Sequence, residues 1–150
     1  MSEYFFGFVP DDPYYRLNEA EICAIKKLDW YQGDMSIKVN DTVQFAAAGG
    51  NLESILCPFC KSDLRGWWQE AMDAAYDLEK RYFKGLRAVT PCCNKVISLQ
   101  DLEYNFPQGF YTSIIKIPVI GIQSDVIDDD VACEQLAQIT DTTWRAVHAR

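Results

Sequence analysis

Cys57-Pro58-Phe59-Cys60 is answered further along the chain by Thr90-Pro91-Cys92-Cys93, and these eight residues decide how everything else is divided. Four thiols in two tight clusters are what a structural zinc site requires. A tetrahedral Zn²⁺ takes four soft ligands, and a Cys-x-x-Cys turn presents two sulfurs on one side with backbone N–H groups facing them. Pro58 stiffens the first turn, and Asn94 follows the second pair where a residue that tolerates positive φ is useful. The spacing therefore predicts a ribbon closed by one metal ion, with Cys57, Cys60, Cys92 and Cys93 as ligands.

The same residues admit other readings. A lone Cys-x-x-Cys is also a redox dithiol, but that motif opens a helix after a strand and needs no second thiol cluster. The adjacency of Cys92 and Cys93 departs from the usual second Cys-x-x-Cys. If one of the two does not ligate, Asp63 or a water completes the shell. His148, the single histidine, is remote in sequence. An all-cysteine set with no open position argues for a structural rather than a catalytic metal.

Working outward from the cysteines, each flank carries a strand, a helix and a strand. Tyr4 to Val9 is a continuous apolar run ended by Pro10, the pattern of a strand covered on both faces. Asn18 with Glu21 forms a capping box for a helix whose apolar face runs through Leu17, Ala20, Ala24, Leu28 and Tyr31 and which Gly33 stops. Ser36 to Ala46 alternates around a break at Asn40-Asp41, as an edge strand with a bulge or a hairpin does. After the cysteine segment, Phe110 to Val119 is a second long apolar strand. Asp128-Asp129-Asp130 caps a helix through Val131, Leu136 and Ile139, and Thr142 to His148 is a closing, more polar strand.

This order predicts an α+β fold of the ferredoxin-like, split βαβ kind, with a zinc-ribbon and helix module inserted. In that topology the first and third strands lie centrally, which suits the two continuous apolar runs, and the second and fourth are edges. The chain then divides into residues 1–48 and 106–150, the two halves of one domain, and 49–105, the insert, entered through Gly49-Gly50-Asn51. Within the insert the pattern predicts a helix over Trp67–Phe83 with Gly85 past its end. A short hairpin follows, Leu86–Thr90 with Lys95–Ser98, and then one helical turn capped by Ser98. Trp67, Trp68, Tyr76, Phe83 and Trp144 are expected to fill space between sheet, helix and ribbon. Cys23 and Cys133, in matching helices, are expected as small buried residues.

Charge narrows the function. Fourteen basic side chains against 22 acidic leave a net charge of −8 on 150 residues, 49% of them hydrophobic. Such a balance repels phosphate backbones and anionic membranes and suits a basic protein partner. The acid excess lies in the flanks: residues 51–105 carry 7 basic and 8 acidic side chains, residues 1–50 carry 4 and 8, and residues 106–150 carry 3 and 6. Lys80, Arg81, Lys84 and Arg87 near Trp67 and Trp68 form the one candidate patch for nucleic acid, read more simply as cations at a helix end. The amino terminus lacks a basic n-region, and the longest apolar stretch, Ile114–Ile122, contains Lys116, Pro118 and Gly121. We therefore expect neither a signal peptide nor a membrane span, and a reducing, cytoplasmic setting in which thiols bind metal. No catalytic constellation is found.

Cys57-Pro58-Phe59-Cys60, Thr90-Pro91-Cys92-Cys93, Ser98-Leu99-Gln100-Asp101-Leu102 and Tyr104-Asn105-Phe106-Pro107-Gln108-Gly109-Phe110 together resemble a group of small uncharacterised bacterial proteins with a CPxC…TPCC…SLxDL…PxGF pattern. The resemblance implies that both Cys92 and Cys93 ligate the metal and brings no activity with it. The expectation is a non-enzymatic, acidic binding protein, such as an immunity or inhibitor protein for a basic toxin. The alternatives are a zinc-ribbon regulator holding nucleic acid through its insert and, third, a ligand sensor or enzyme built on the sheet.

Overall fold

The computed structural model describes residues 5–47, 52–105, 108–118 and 128–149. The hinge at residues 49–51, Phe106 and Pro107, Val119, and the side chain of His148 lie outside the described set.

The chain forms a mixed α+β structure. Strand β1 (Phe5–Pro10) leads to helix α1 (Glu19–Lys26) and the long strand β2 (Ser36–Ala46). The cysteine segment then contributes β3 (Ile55–Leu56), α2 (Arg65–Ala75), β4 (Tyr76–Asp77), β5 (Tyr82–Phe83), β6 (Arg87–Val89), β7 (Val96–Ser98), a 3₁₀ turn (Leu99–Asp101) and β8 (Glu103–Tyr104). Strand β9 (Gly109–Pro118), helix α3 (Asp129–Thr140) and strand β10 (Trp144–Ala149) complete it. One sheet runs β10-β1-β9-β2-β5-β4 with antiparallel neighbours, and two small ladders, β3-β8 and β6-β7, stand beside it. None of the described helices is long and apolar enough to cross a membrane.

The apolar runs sit inside the sheet because they have neighbours on both sides. β9 lies between β1 and β2, and Phe110, Ile114 and Ile115 on it are fully buried. β10 is an edge, as its polarity predicts. β2 is not: β5 of the cysteine segment pairs with it at Val43–Phe83, so the β4–β5 hairpin extends the sheet past the position expected to be its edge. The register of β2 on β9 slips between Val39 and Gln44 within one continuous strand, so the break at Asn40-Asp41 is a bulge-type irregularity and not a hairpin.

Helices α1 and α3 cover one face. Phe8 and Ile115 from the sheet meet Leu17, Ile25, Trp30, Ala132 and Leu136 in a single cluster. The capping box on α1 is present, Asn18 accepting from the Glu21 N–H at 2.8 Å and Glu21 accepting from the Asn18 N–H at 3.0 Å. The helix ends at Lys26 rather than near Gly33. Leu28 N–H turns back to the Ile25 carbonyl and Tyr31 N–H to that of Leu28, and this tighter winding buries Trp30 against Phe8 with its indole donating to Gln135. The buried face accordingly passes through Leu17 and Ile25, while Ala20 and Cys23 are exposed; the expectation of a buried Cys23 is overturned. Cys133 is half-buried. On α3, Asp128 caps by accepting from the Asp130 and Val131 N–H groups, and Val131 faces solvent.

The predicted helix over Trp67–Phe83 is shorter than expected. α2 stops at Ala75 because Asp77 takes the N–H groups of Glu79 and Lys80 at 3.0 Å each and Arg81 adopts φ 59°, folding residues 76–83 into a hairpin. This places Phe83 against Phe110 at 5.0 Å and Tyr76 against Phe83 at 4.9 Å. The cysteine segment therefore shares its core with the sheet: Val43, Phe45 and Phe110 pack with Ile55, Cys57, Leu64, Met72, Leu86 and Leu99.

Candidate metal centre

Two turns of matching form build the centre. In the first, Cys57 N–H donates to Ser62 O at 3.0 Å, Lys61 N–H returns to Cys57 O at 2.8 Å, and Lys61 adopts φ 64°. In the second, Thr90 N–H donates to Lys95 O at 2.9 Å, Asn94 N–H returns to Thr90 O at 2.9 Å, and Asn94 adopts φ 57°. Position by position, Cys57-Pro58-Phe59-Cys60-Lys61 corresponds to Thr90-Pro91-Cys92-Cys93-Asn94. The vicinal pair is thereby explained. Thr90 occupies the place of the first cysteine, is fully buried, and lies 3.3 Å through its hydroxyl from Cys93 Sγ; Cys92 stands where the first turn has Phe59. The left-handed residue expected at Asn94 is found, and its counterpart at Lys61 carries no glycine or asparagine that would have announced it.

The four sulfurs converge. Sγ atoms of Cys57, Cys60, Cys92 and Cys93 all lie within 4.8 Å of one another. A tetrahedral ion with metal–sulfur bonds of about 2.3 Å sets its ligands about 3.8 Å apart; Cys57–Cys93 is 3.7 Å and Cys92–Cys93 is 3.8 Å. A disulfide would need about 2.05 Å, and all six cysteines are free thiols. The donor set and spacing fit a metal ion, with both vicinal cysteines in the cluster. Asp63 does not join it: its carboxylate accepts from Arg65 N–H at 3.0 Å and pairs with the Arg65 guanidinium, contacts that hold it below the usual carboxylate range.

The thiols are electrostatically divided. The Ser62 hydroxyl and N–H, followed by Cys92, bring Cys60 down to about 6. Burial opposes ionisation of Cys57, yet the N–H groups of Cys60 and Phe59 and the thiols of Cys92 and Cys93 hold it below its ordinary value. Cys92 is pushed up to about 12, first by burial and then by Cys60 and Cys57. Four thiols so close share protons unless a cation lets all of them ionise, since metal ligation requires thiolates.

Around the centre, Lys61 pairs with Glu103 and Lys95 lies over the Phe59 ring at 4.8 Å. Comparison with protein-family models, curated proteins and solved structures finds no match to this chain.

Sequence reasoning missed Gln100. Its side chain, 1% exposed, accepts from Phe110 N–H at 2.7 Å and donates to the carbonyls of Asp11 at 3.0 Å and Phe110 at 3.2 Å. Arg145 adds a 2.8 Å pair to Asp11 and a 3.2 Å bond to the Gln100 carbonyl. These contacts bolt the 3₁₀ turn of the insert to β9 and the end of β1. The candidate basic patch is divided: Lys84, Arg87 and Trp67 line one groove, whereas Lys80 and Arg81 belong to the β4–β5 turn.

Proposed function

We propose that this is a non-enzymatic binding protein, stabilised by structural zinc, that covers the basic surface of a protein partner as an inhibitor or immunity protein does. Zinc is favoured over other ions because four thiolates at tetrahedral spacing with no open position suit it and leave no place for substrate. The sheet order β10-β1-β9-β2 with α1 and α3 on one face supports the reading of residues 1–48 and 106–150 as a ferredoxin-like split βαβ and of 49–105 as an inserted zinc-ribbon module. Free thiols throughout suit a reducing cytoplasm. In this reading the chain stands with the small bacterial proteins whose cysteine pattern it resembles.

The observation that carries the binding role is the helical layer. α1 and α3 pack side by side, and Glu19, Asp129, Asp130 and Glu134 are exposed along them, with a net charge of −8 behind them. Such a face speeds and orients encounter with a basic partner, and salt weakens it. The test is affinity purification of the tagged chain, co-expressed with its neighbouring genes, at low salt. One stoichiometric basic protein, lost when Glu19, Asp130 and Glu134 are changed to Lys, is expected. Recovery of RNA or DNA instead, abolished by changing Lys80, Arg81 and Lys84 to Glu, contradicts the reading.

A further inference from the structure

We infer that the groove between α2 and β6 receives an extended, acidic segment of a partner protein, which adds to β6 as a further strand. This surface is distinct from the acidic helical layer.

The β6–β7 ladder settles which backbone groups are open. Leu86 O accepts from Leu99 N–H and Thr90 N–H donates to Lys95 O, with Arg87 opposite Ser98, Ala88 opposite Ile97 and Val89 opposite Val96. In an antiparallel pair, bonded and non-bonded positions alternate. Arg87 and Val89 are thus the non-bonded positions, and their N–H and C=O groups point away from β7. Among the described strands β6 pairs with β7 alone, so no strand occupies this edge. These N–H and C=O groups give an extended chain two donors and two acceptors at strand spacing.

That edge is one wall of an open groove of about 750 Å³ whose other wall is α2, through Trp67, Ala71, Ala74 and Ala75. The alanines leave room beside the strand, and Trp67 offers an apolar surface. A strand laid between an exposed edge and a helix takes affinity from main-chain bonds and specificity from alternate side chains. Lys84 and Arg87 stand on the β6 side of the groove against the single carboxylate of Glu70, so the rim favours acidic side chains between the apolar ones.

The probes are capped hexapeptides: alternating Glu and Val, the same with Lys for Glu, and the Glu/Val peptide N-methylated at alternate residues to remove its donors. Each is titrated into the full metal-bound chain with the amide resonances of Arg87 and Val89 followed by NMR. The Glu/Val peptide is expected to shift both amides and to weaken roughly tenfold or more on N-methylation and on changing Lys84 and Arg87 to Glu. Both side chains are exposed, so the variant's fold and metal content serve as controls. Equal binding by the N-methylated or Lys peptide overturns the proposal, as does an absence of shifts at millimolar Glu/Val peptide. So does an oligodeoxythymidine that shifts these amides when the peptides do not.

Discussion

Replacing Gln100 by Leu keeps nearly the same volume and removes the amide that joins the insert to the sheet. The change leaves Phe110 N–H, Phe110 O and Asp11 O without the partners now 2.7, 3.2 and 3.0 Å away. A buried donor left unpaired costs about 1–3 kcal/mol. The two carbonyls cost less, because each has a second lone pair and the end of β1 can admit water. The sum is about 3–4 kcal/mol, which for a chain of this size lowers Tm by roughly 6–16 °C. The metal centre does not use Gln100, so metal content should be unchanged. Calorimetry on the metal-loaded protein, with metal analysis on the same samples, reads both quantities. A Tm within 2 °C of the parent would refute the reasoning, as would loss of metal at an unchanged Tm.

Three further outcomes are expected. Because Thr90 occupies the position of Cys57 in the matching turn, Cys92→Phe alone should lose metal, and Cys92→Phe combined with Thr90→Cys should regain it; a chelator-competition assay measures both. Cys133 is pushed up to about 12 by burial and then by Asp129, Asp11 and Asp130. Its thiolate is therefore scarce at any pH below that value, and iodoacetamide at pH 8 should label the exposed Cys23 well before Cys133, as peptide mass mapping would show. Asp128→Ala removes the acceptor for two N–H groups of α3 and should cost about 1 kcal/mol, or roughly 2–4 °C in Tm.

What the sequence made legible follows from how local each signal is. The Asn18 capping box, the Asp128 cap, the bulge in β2 and the hairpin across Cys92-Cys93 each depend on residues a few positions apart, and each is found. The apolar runs Tyr4 to Val9 and Phe110 to Val119 announced the inner strands found at Phe5–Pro10 and Gly109–Pro118, because burial on both faces leaves no polar alternation. The errors arise where tertiary contacts override a local pattern. Trp67 to Phe83 carries a helical spacing throughout, yet Asp77 captures its own turn and Phe83 finds Phe110, so the second half becomes a hairpin. Cys23 is exposed although expected to be buried, because the buried side of α1 runs through Ile25 instead. At the candidate metal centre the four cysteines that converge were legible from spacing. The equivalence of Thr90 with Cys57 was not, because it depends on two backbone turns whose hydrogen bonds no residue pattern displays. Gln100 gave no signal either, its partners being distant in sequence.

In the function proposed above, Cys57, Cys60, Cys92 and Cys93 together hold one structural zinc ion. Native mass spectrometry of the full chain, purified without added metal, tests it most directly. One zinc per chain is expected, lost in Cys60→Ser and in Cys92→Ser together with much of the folded structure. A folded chain that carries no metal and shows a mass two hydrogens lighter, with Cys57 and Cys60 joined as a disulfide, would contradict it.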